Sequence, residues 1–191
     1  MLIKRTSIGL LYLIISICFS NLYALETEQG FIGWWSFDEI KDGVVKDKSG
    51  NNNDGRVYGT NSVQGVFDSG AKFNGKSDYI EISGIKEVPN TFAISFWIYP
   101  LTTNNHNQVI SAISDWGGFC FHTANDGGLY VGTNVEDRFT PADLSFGTLA
   151  INQWHNFVYV FDNGNAKFYK NGILLASKLQ KNPIKWNGFR I

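Results

Sequence analysis

The 191-residue sequence predicts an all-β fold made of two antiparallel sheets packed face to face. Three observations predict it: short runs in which apolar and polar residues alternate, hairpin turns between these runs, and no long amphipathic helical pattern after residue 24. Asn, Asp and Gly fill the short polar stretches, as is typical of loops between strands. We therefore expect a β-sandwich whose core lies between the two sheets.

The region from Trp154 to Gly172 carries the strongest strand pattern. Trp154–Phe161 alternates as a strand, residues 162–165 favour a turn, and Ala166–Lys170 alternates as a second strand. Asn171-Gly172 then favours the positive φ angles of a tight hairpin. This region therefore predicts two consecutive hairpins in one sheet.

A further long strand is predicted at Phe92–Tyr99. Alternate residues divide it into two faces, one with Phe92, Ile94, Phe96 and Ile98 and the other with Ala93, Ser95, Trp97 and Tyr99. Because both faces carry apolar area, we expect a central strand and a core position for Trp97. Core positions are also expected for Trp35 and Trp154, which lie inside strand patterns. Shorter strands are predicted at 56–58, 71–73, 79–82, 108–113, 119–123 and 129–133.

The N-terminus predicts export. Basic residues precede an apolar run at residues 8–19, so residues 1–24 fit a secretory signal peptide and residues 25–191 would form one domain. The run is too short for a membrane span. A lipoprotein signal would end at Cys18, but Ile17 occupies the position where cleavage needs a small residue. We therefore expect a secreted, cell-surface or periplasmic protein without lipid anchoring at Cys18.

Charge and cysteine content exclude several classes of protein. The chain has 16 basic and 17 acidic residues; removing Lys4 and Arg5 with the signal leaves 14 against 17 and a formal charge of −3. Because both signs are interspersed, no nucleic-acid-binding surface is expected. Cys120 alone would remain in the mature chain, so no intrachain disulfide can form. Its position between Phe119 and Phe121 predicts a buried, inert thiol.

Several motifs follow one another in a characteristic order. They are Gly33–Glu39, Asp47–Gly55, Ala71–Gly75, Asp78–Ile82, Phe92–Pro100, N-x-W-H at 152–155 and Y-x-N-G at 169–172. In this order they resemble the laminin G-like domains of the concanavalin A-like lectin and glucanase superfamily, from about Gly30 to the end of the chain. The resemblance implies a two-sheet jelly-roll sandwich. Such domains usually close with one further strand, so we expect the sequence to lack its last strand. The predicted strand at Trp35–Phe37 would then have an exposed edge.

The pattern of acidic residues argues against catalysis. Glucanases of the resembled family carry a Glu-x-Asp-x-Glu strand, which this sequence lacks, and retaining hydrolysis needs two carboxyls about 5 Å apart. Asp38-Glu39 and Glu136-Asp137 are neighbours that would point to opposite faces of a strand. His155 is interpreted as a packed histidine rather than a general base. A hydrolase with an unusual acid pair is therefore only the third hypothesis.

Calcium is the metal that the sequence favours. A hard cation binds six to eight oxygens, which irregular Asp, Asn and Gly loops supply. The resemblance implies a structural site between the first strand, the following loop and an acidic residue on the last strand. Asp38, Asn51, Asn53 and Asp54 fill the first two parts, whereas the last ligand is absent. In the alternative interpretation, residues 51–55 are only a cluster of turns.

Carbohydrate binding requires an exposed aromatic ring beside polar groups. Trp116 lies in the predicted loop Asp115–Gly118, and Asn134, Glu136 and Arg138 in the next polar stretch are candidate polar contacts. Trp116 could instead fold back over an open end of the sandwich.

The sequence therefore predicts an exported, non-catalytic carbohydrate-binding module for a polysaccharide or surface glycan, with calcium as a structural aid. The alternative is a protein-interaction or adhesion module of a larger extracellular protein, which would use a rim patch.

Overall fold

The computed structural model describes residues 30–85, 89–103, 108–112, 119–135, 138–140, 145–179 and 188–191. The predicted signal peptide at 1–24, including Cys18, lies outside these residues. The described residues form sixteen strands and no helix, so the all-β prediction is confirmed. They contain no helix long and apolar enough to cross a membrane. The strands are β1 Ile40–Lys41, β2 Val44–Val45, β3 Gly55–Tyr58, β4 Asn61–Gln64, β5 Ser69–Lys72, β6 Tyr79–Ile82, β7 Thr91–Ile98, β8 Gln108–Ala112, β9 Phe119–Thr123, β10 Gly128–Val135, β11 Arg138–Thr140, β12 Ser145–Thr148, β13 His155–Asp162, β14 Asn165–Lys170, β15 Ile173–Leu179 and β16 Phe189–Arg190.

Two antiparallel sheets make up the sandwich in the described part of the chain. The larger has the order β1-β2-β3-β6-β16-β8-β9-β10-β11, with β12 also paired to β10. The smaller has the order β15-β14-β13-β7, and β4 and β5 form a separate hairpin. The two predicted turns at 162–165 and 171–172 are confirmed. Asn163-Gly164 (φ 45° and 93°) and Asn171-Gly172 (φ 50° and 79°) are two-residue loops with both central φ angles positive.

The core lies between the sheets and is mainly aromatic. Alternate residues of β13 point inward, so Phe157 and Tyr159 are fully buried, and Phe121 and Phe146 face them from the larger sheet. The ring centroids of Phe146 and Phe157 are 4.9 Å apart, and those of Phe121 and Tyr159 are 5.9 Å apart. These contacts form a single, densely packed core within the described part of the chain.

Two polar side chains in this core behave as predicted. Cys120 is buried, and burial raises the pKa of its thiol to about 12, which keeps it protonated and inert. His155 is buried as well, and its Nε2 lies 2.9 Å from the carbonyl oxygen of Ala150. The prediction of a packed histidine is confirmed.

Four sequence-based predictions about strands and tryptophans need correction. Trp154, expected in the core, is half-buried and packs against Tyr99 outside the hydrophobic core. Strand β7 lies at one end of its sheet within the described residues and is not central. As a result Trp97 is 44% exposed rather than buried. Residues Trp35–Phe37 form no strand. Trp35 does pack against the core, as predicted, with its ring 5.3 Å from that of Phe189.

The last four residues enter the larger sheet. Strand β16 lies between β6 and β8, and Ile191 exchanges two backbone hydrogen bonds of 2.9 Å with Ile80. Arg190 donates two hydrogen bonds to Glu81 on the neighbouring strand, at 3.1 and 2.8 Å. Phe189 of β16 is buried.

Candidate functional site

The ligand site predicted around Trp116 is only partly described. Trp116 and Glu136 lie outside the described residues. The backbone of Asn134 and Arg138 belongs to one hairpin, in which Asn134 is opposite Phe139 and Val135 is opposite Arg138. The structure thus brings these two predicted residues into neighbouring strands, and sugar contact by the set stays a prediction.

Three of the four predicted calcium residues, Asn51, Asn53 and Asp54, lie in a loop at residues 47–54, and Asp38 lies outside it. Asp47 organises this loop, and we call it the Asp47 loop. The Asp47 carboxylate accepts three backbone N–H groups at 2.9 Å, from Trp34, Ser49 and Asn53. Burial raises the pKa of Asp47, but the hydrogen bonds outweigh burial and hold the pKa below its usual range. One ionised carboxylate therefore holds a loop that has no regular strand pairing of its own.

Each predicted calcium residue has a protein partner in or beside this loop. Asp38 pairs with Lys48 at 2.7 Å and Asp54 pairs with Lys46, and these hydrogen bonds lower the pKa of both carboxyls. The Nδ2 group of Asn51 donates to the carbonyl oxygen of Phe31 at 2.6 Å, and that of Asn53 donates to Ile32 at 2.8 Å.

This arrangement does not by itself fit a calcium ion. Both carboxylates already face an ammonium group, and both amide nitrogens point at carbonyl oxygens that a cation would otherwise use. No cluster of three or more His, Cys, Asp or Glu side chains suited to a metal occurs in the described ranges. Calcium stays a prediction.

The outer face of the smaller sheet carries an unexpected aromatic surface, which we define as Phe67, Trp97, Tyr99 and Trp154. Trp97 and Tyr99 alternate along β7 and its C-terminal extension, and they are 44% and 41% exposed. Trp154 lies just before β13, with its ring 5.3 Å from that of Tyr99 in an edge contact. The inward neighbours Phe96 and Ile98 pack on the core, so the alternation of the strand forces these rings outward.

The β4–β5 hairpin supplies a wall beside this surface. Phe67, at its turn, is 79% exposed and stands almost perpendicular to Trp97, at 89° with ring centroids 6.3 Å apart. The turn is tied by bonds from Gly65 N–H and Gln64 Nε2 to the carbonyl oxygen of Asp68, at 3.2 and 3.0 Å. The hairpin thus places the Phe67 ring nearly perpendicular to the Trp97 ring beside it.

A polar group lies among these rings. Asn156 is opposite Trp97 in the β13–β7 register, so their side chains share the outer face. Two hydrogen bonds of 2.9 Å fix its backbone. The backbone N–H of Asn156 donates to Oδ1 of Asn171, and the backbone N–H of Asn171 donates to the carbonyl oxygen of Asn156. Flat rings beside an amide are the combination that sugar recognition requires, because sugar rings have apolar C–H faces and polar hydroxyl edges.

Comparison with known proteins gives the family. Residues 74–190 match the family model of the concanavalin A-like lectin/glucanases superfamily. The chain belongs to this family. A search of curated proteins finds no match. Among solved structures, the chain is similar to domain 4 of AbnA, a GH43 extracellular arabinanase from Geobacillus stearothermophilus, in complex with arabinotriose. The TM-score is 0.65 at 19% identity over 82% of this chain and 79% of that chain.

Two further solved structures have the same fold. A botulinum neurotoxin type C structure, described as dependent on interaction with two ganglioside molecules for cell entry, gives a TM-score of 0.62 at 17% identity, over 78% of this chain and 40% of that chain. A mutant Trypanosoma rangeli sialidase gives 0.59 at 13% identity, over 80% and 26%. At these identities the likeness concerns the fold alone, and it confirms the jelly-roll sandwich.

The aromatic surface of this concanavalin A-like domain was missed by sequence reasoning. The alternation places Trp97 and Tyr99 correctly on one face, together with Ala93 and Ser95, but it wrongly predicts a core position for Trp97. The available signal was the small and polar character of Ala93 and Ser95, which contrasts with the four large apolar residues of the opposite face.

Proposed function

We propose that this concanavalin A-like domain is a non-catalytic carbohydrate-binding module and that its aromatic surface stacks on sugar rings. The observation that carries the proposal is the pair Trp97 and Tyr99, large rings left 44% and 41% exposed on the outer face of a sheet. Scattered apolar side chains are common on protein surfaces, but rings gathered beside a wall and an amide suit a ligand.

The relatives support this ligand class. One neighbour of the same fold is described in complex with arabinotriose and another as interacting with gangliosides. We propose a polysaccharide or surface glycan as the partner and export through residues 1–24 as the route to it. The predicted contacts Trp116, Asn134, Glu136 and Arg138 remain a second location for the same function.

The test uses binding to immobilised glycans and polysaccharides, arabinan and ganglioside oligosaccharides included, by the chain from Leu25. Trp97→Ala and Tyr99→Ala should each reduce retention about five- to thirtyfold, because stacking on one ring contributes on the order of 1 to 2 kcal/mol. Trp97→Phe should retain most of the affinity, since it keeps a flat ring. Leu179→Ala, an exposed apolar residue of the same sheet, is the matched control and should have no effect.

The variants separate the possible locations. If Trp116→Ala abolishes retention and Trp97→Ala does not, the ligand binds at the predicted loop instead. A folded wild type that retains no glycan in the panel would reject the proposed function. Circular dichroism and thermal melting establish that every variant is folded.

Calcium is proposed as a stabiliser of the Asp47 loop, at Asp38 and Asp54. A calcium ion must displace Lys48 and Lys46 before it can use these carboxylates. We therefore expect the Lys46→Met/Lys48→Met double variant to show a larger calcium-dependent rise in Tm than the wild type. The same Tm with calcium and with chelator, in both proteins, would rule calcium out.

The alternative function, a protein-interaction module, is favoured by one observation. Four apolar residues of β15 are exposed, namely Ile173, Leu174, Leu175 and Leu179. A register irregularity opposite Phe168 and Tyr169 interrupts the pairing of β15 with β14. If glycan binding fails in a folded chain, reduced protein association of a Leu174→Ser/Leu175→Ser variant would support this alternative.

A further inference from the structure

A second concave feature lies among residues 30–32, the Asp47 loop and the residues after β6. It is a pocket of about 410 Å³, open to solvent, and is lined by Gly30, Phe31, Ile32, Asn51, Asn53, Gly84 and Ile85. None of these residues belongs to the aromatic surface. We infer that this cavity is a second binding site for a neutral sugar unit, an inference that rests on the proposed function.

An exposed ring forms one wall of the cavity. Phe31 is 51% exposed and stacks on Trp34, with ring centroids 6.2 Å apart and an angle of 26° between the planes. Trp34 is itself 42% exposed, and the Lys48 ammonium lies 5.7 Å from its ring centre. The ring of Phe31 is therefore supported from behind by Trp34 and offers the cavity an apolar plate.

Two fixed amides also line the pocket. Asn51 and Asn53 donate their Nδ2 groups to the carbonyl oxygens of Phe31 and Ile32, which sets the orientation of both amide planes. Each amide also carries an oxygen that accepts hydrogen bonds. At Gly84 an added Cβ would lie only 2.3 Å from Oδ1 of Asn53, so this side of the pocket has its shape because residue 84 is glycine.

The lining identifies the class of ligand. The seven described residues that line the pocket carry no formal charge, which disfavours a phosphate, carboxylate or cation and suits a neutral hydroxylated molecule. An exposed aromatic ring together with amide groups matches the two characters of a sugar ring, and the volume is in the range of small-molecule sites. The cavity therefore fits one neutral sugar unit of a longer chain.

Two separate sites would change how the domain binds. A polysaccharide that contacts both converts the second contact into an intramolecular event, and avidity can then exceed the affinity of either site by two to four orders of magnitude. A short oligosaccharide gains nothing from this effect, because it occupies one site at a time. The polymer should therefore bind much more tightly than its trisaccharide.

The test compares a polymer with its trisaccharide, arabinan with arabinotriose first, and otherwise the polysaccharide that the wild type retains. Isothermal titration should give two trisaccharides per wild-type chain, and one for Phe31→Ala and for Trp97→Ala. Each variant should bind the polymer at least tenfold more weakly, while the trisaccharide Kd at the remaining site stays within twofold. Gly84→Ala, whose Cβ would lie 2.3 Å from Oδ1 of Asn53 and so must displace this amide without removing a ring, should behave like Phe31→Ala.

The outcomes distinguish this inference from the proposed function. One trisaccharide per wild-type chain, with Phe31→Ala and Gly84→Ala unchanged and Trp97→Ala inactive, would overturn the second site and leave the proposed function standing. A wild type that binds no glycan would overturn both. Because the wild-type stoichiometry needs no substitution, the inference stays testable even if Phe31→Ala does not fold.

Discussion

The Asp47 loop and the smaller sheet are ordered by opposite means. In the loop, the Asp47 carboxylate accepts hydrogen bonds from three backbone N–H groups. Two Lys–Asp ion pairs lie at the edge of the loop. In the sheet, order comes from backbone ladders and from buried rings such as Phe157 and Phe168. The loop thus depends on a few polar side chains, with the Asp47 carboxylate at their centre, whereas the sheet spreads its stabilisation over many contacts.

The difference explains where each proposed binding site can form. The sheet holds its outer rings rigidly because every second residue is anchored in the core, so Trp97 needs no special support. The cavity at Phe31 has no such frame and depends on Asp47, Asn51 and Asn53 to hold the chain in place. Sites on loops are therefore more sensitive to single substitutions.

The largest expected effect is the loss of a core ring in the sheet. Phe157 is fully buried, with ring centroids 4.9 Å from Phe146 and 5.7 Å from Phe96. Phe157→Ala should lower the free energy of unfolding by about 3 to 5 kcal/mol, because it leaves a cavity between the sheets. Urea denaturation followed by circular dichroism measures the change, with the exposed Lys167→Ala as control. A loss below about 1 kcal/mol would contradict the packing described here.

A smaller but more local effect is expected in the loop. Asp47→Asn leaves the three N–H groups without an ionised acceptor and should cost about 2 kcal/mol. Hydrogen exchange should accelerate at Ser49 and Asn53 and stay unchanged in β13. The exposed Asp68→Asn is the matched control. Uniform acceleration over the whole chain would mean that the loop and the sheet unfold as one unit, and the comparison would fail.

Much of the sheet could be predicted because its signals are local. Alternation in Trp154–Phe161 and the pairs Asn163-Gly164 and Asn171-Gly172 fix strand positions and turn types through backbone geometry alone. The position of Trp97 was predicted wrongly because alternation says which residues share a face, not which face a neighbour covers. That depends on sheet order, which places β7 at an end within the described residues.

The loop was harder to predict because its partners are distant in sequence. The cluster of Asp and Asn residues was seen, and a metal was inferred from its oxygens. The actual partners of Asn51 and Asn53 are backbone carbonyls 20 and 21 residues earlier, and no spacing rule indicates them. Phe31 was not singled out for the same reason, since only the folded loop creates the cavity beside it.

The smallest expected effect concerns pH, and it tests whether the charge of Asp47 holds the loop. Its pKa is held low by N–H donors, as are those of Asp38 and Asp54 by lysines. A carboxyl with a lowered folded pKa stabilises the fold above its unfolded pKa, about 3.9, and loses that effect as pH falls through the folded value. The wild type should therefore lose stability below about pH 4.

The Asp47→Asn variant isolates the contribution of Asp47 to this pH dependence, because it lacks the titrating carboxyl group. At pH 6 the wild type should be the more stable protein, and the gap should begin to close below about pH 4, because the unfolded chain then binds a proton at Asp47 that the folded protein binds only at lower pH. Urea denaturation at half-unit pH steps measures the gap. A gap that stays constant from pH 6 to pH 3 would show that the shape of the side chain, not its charge, orders the loop. Packing would then order the loop as it orders the sheet.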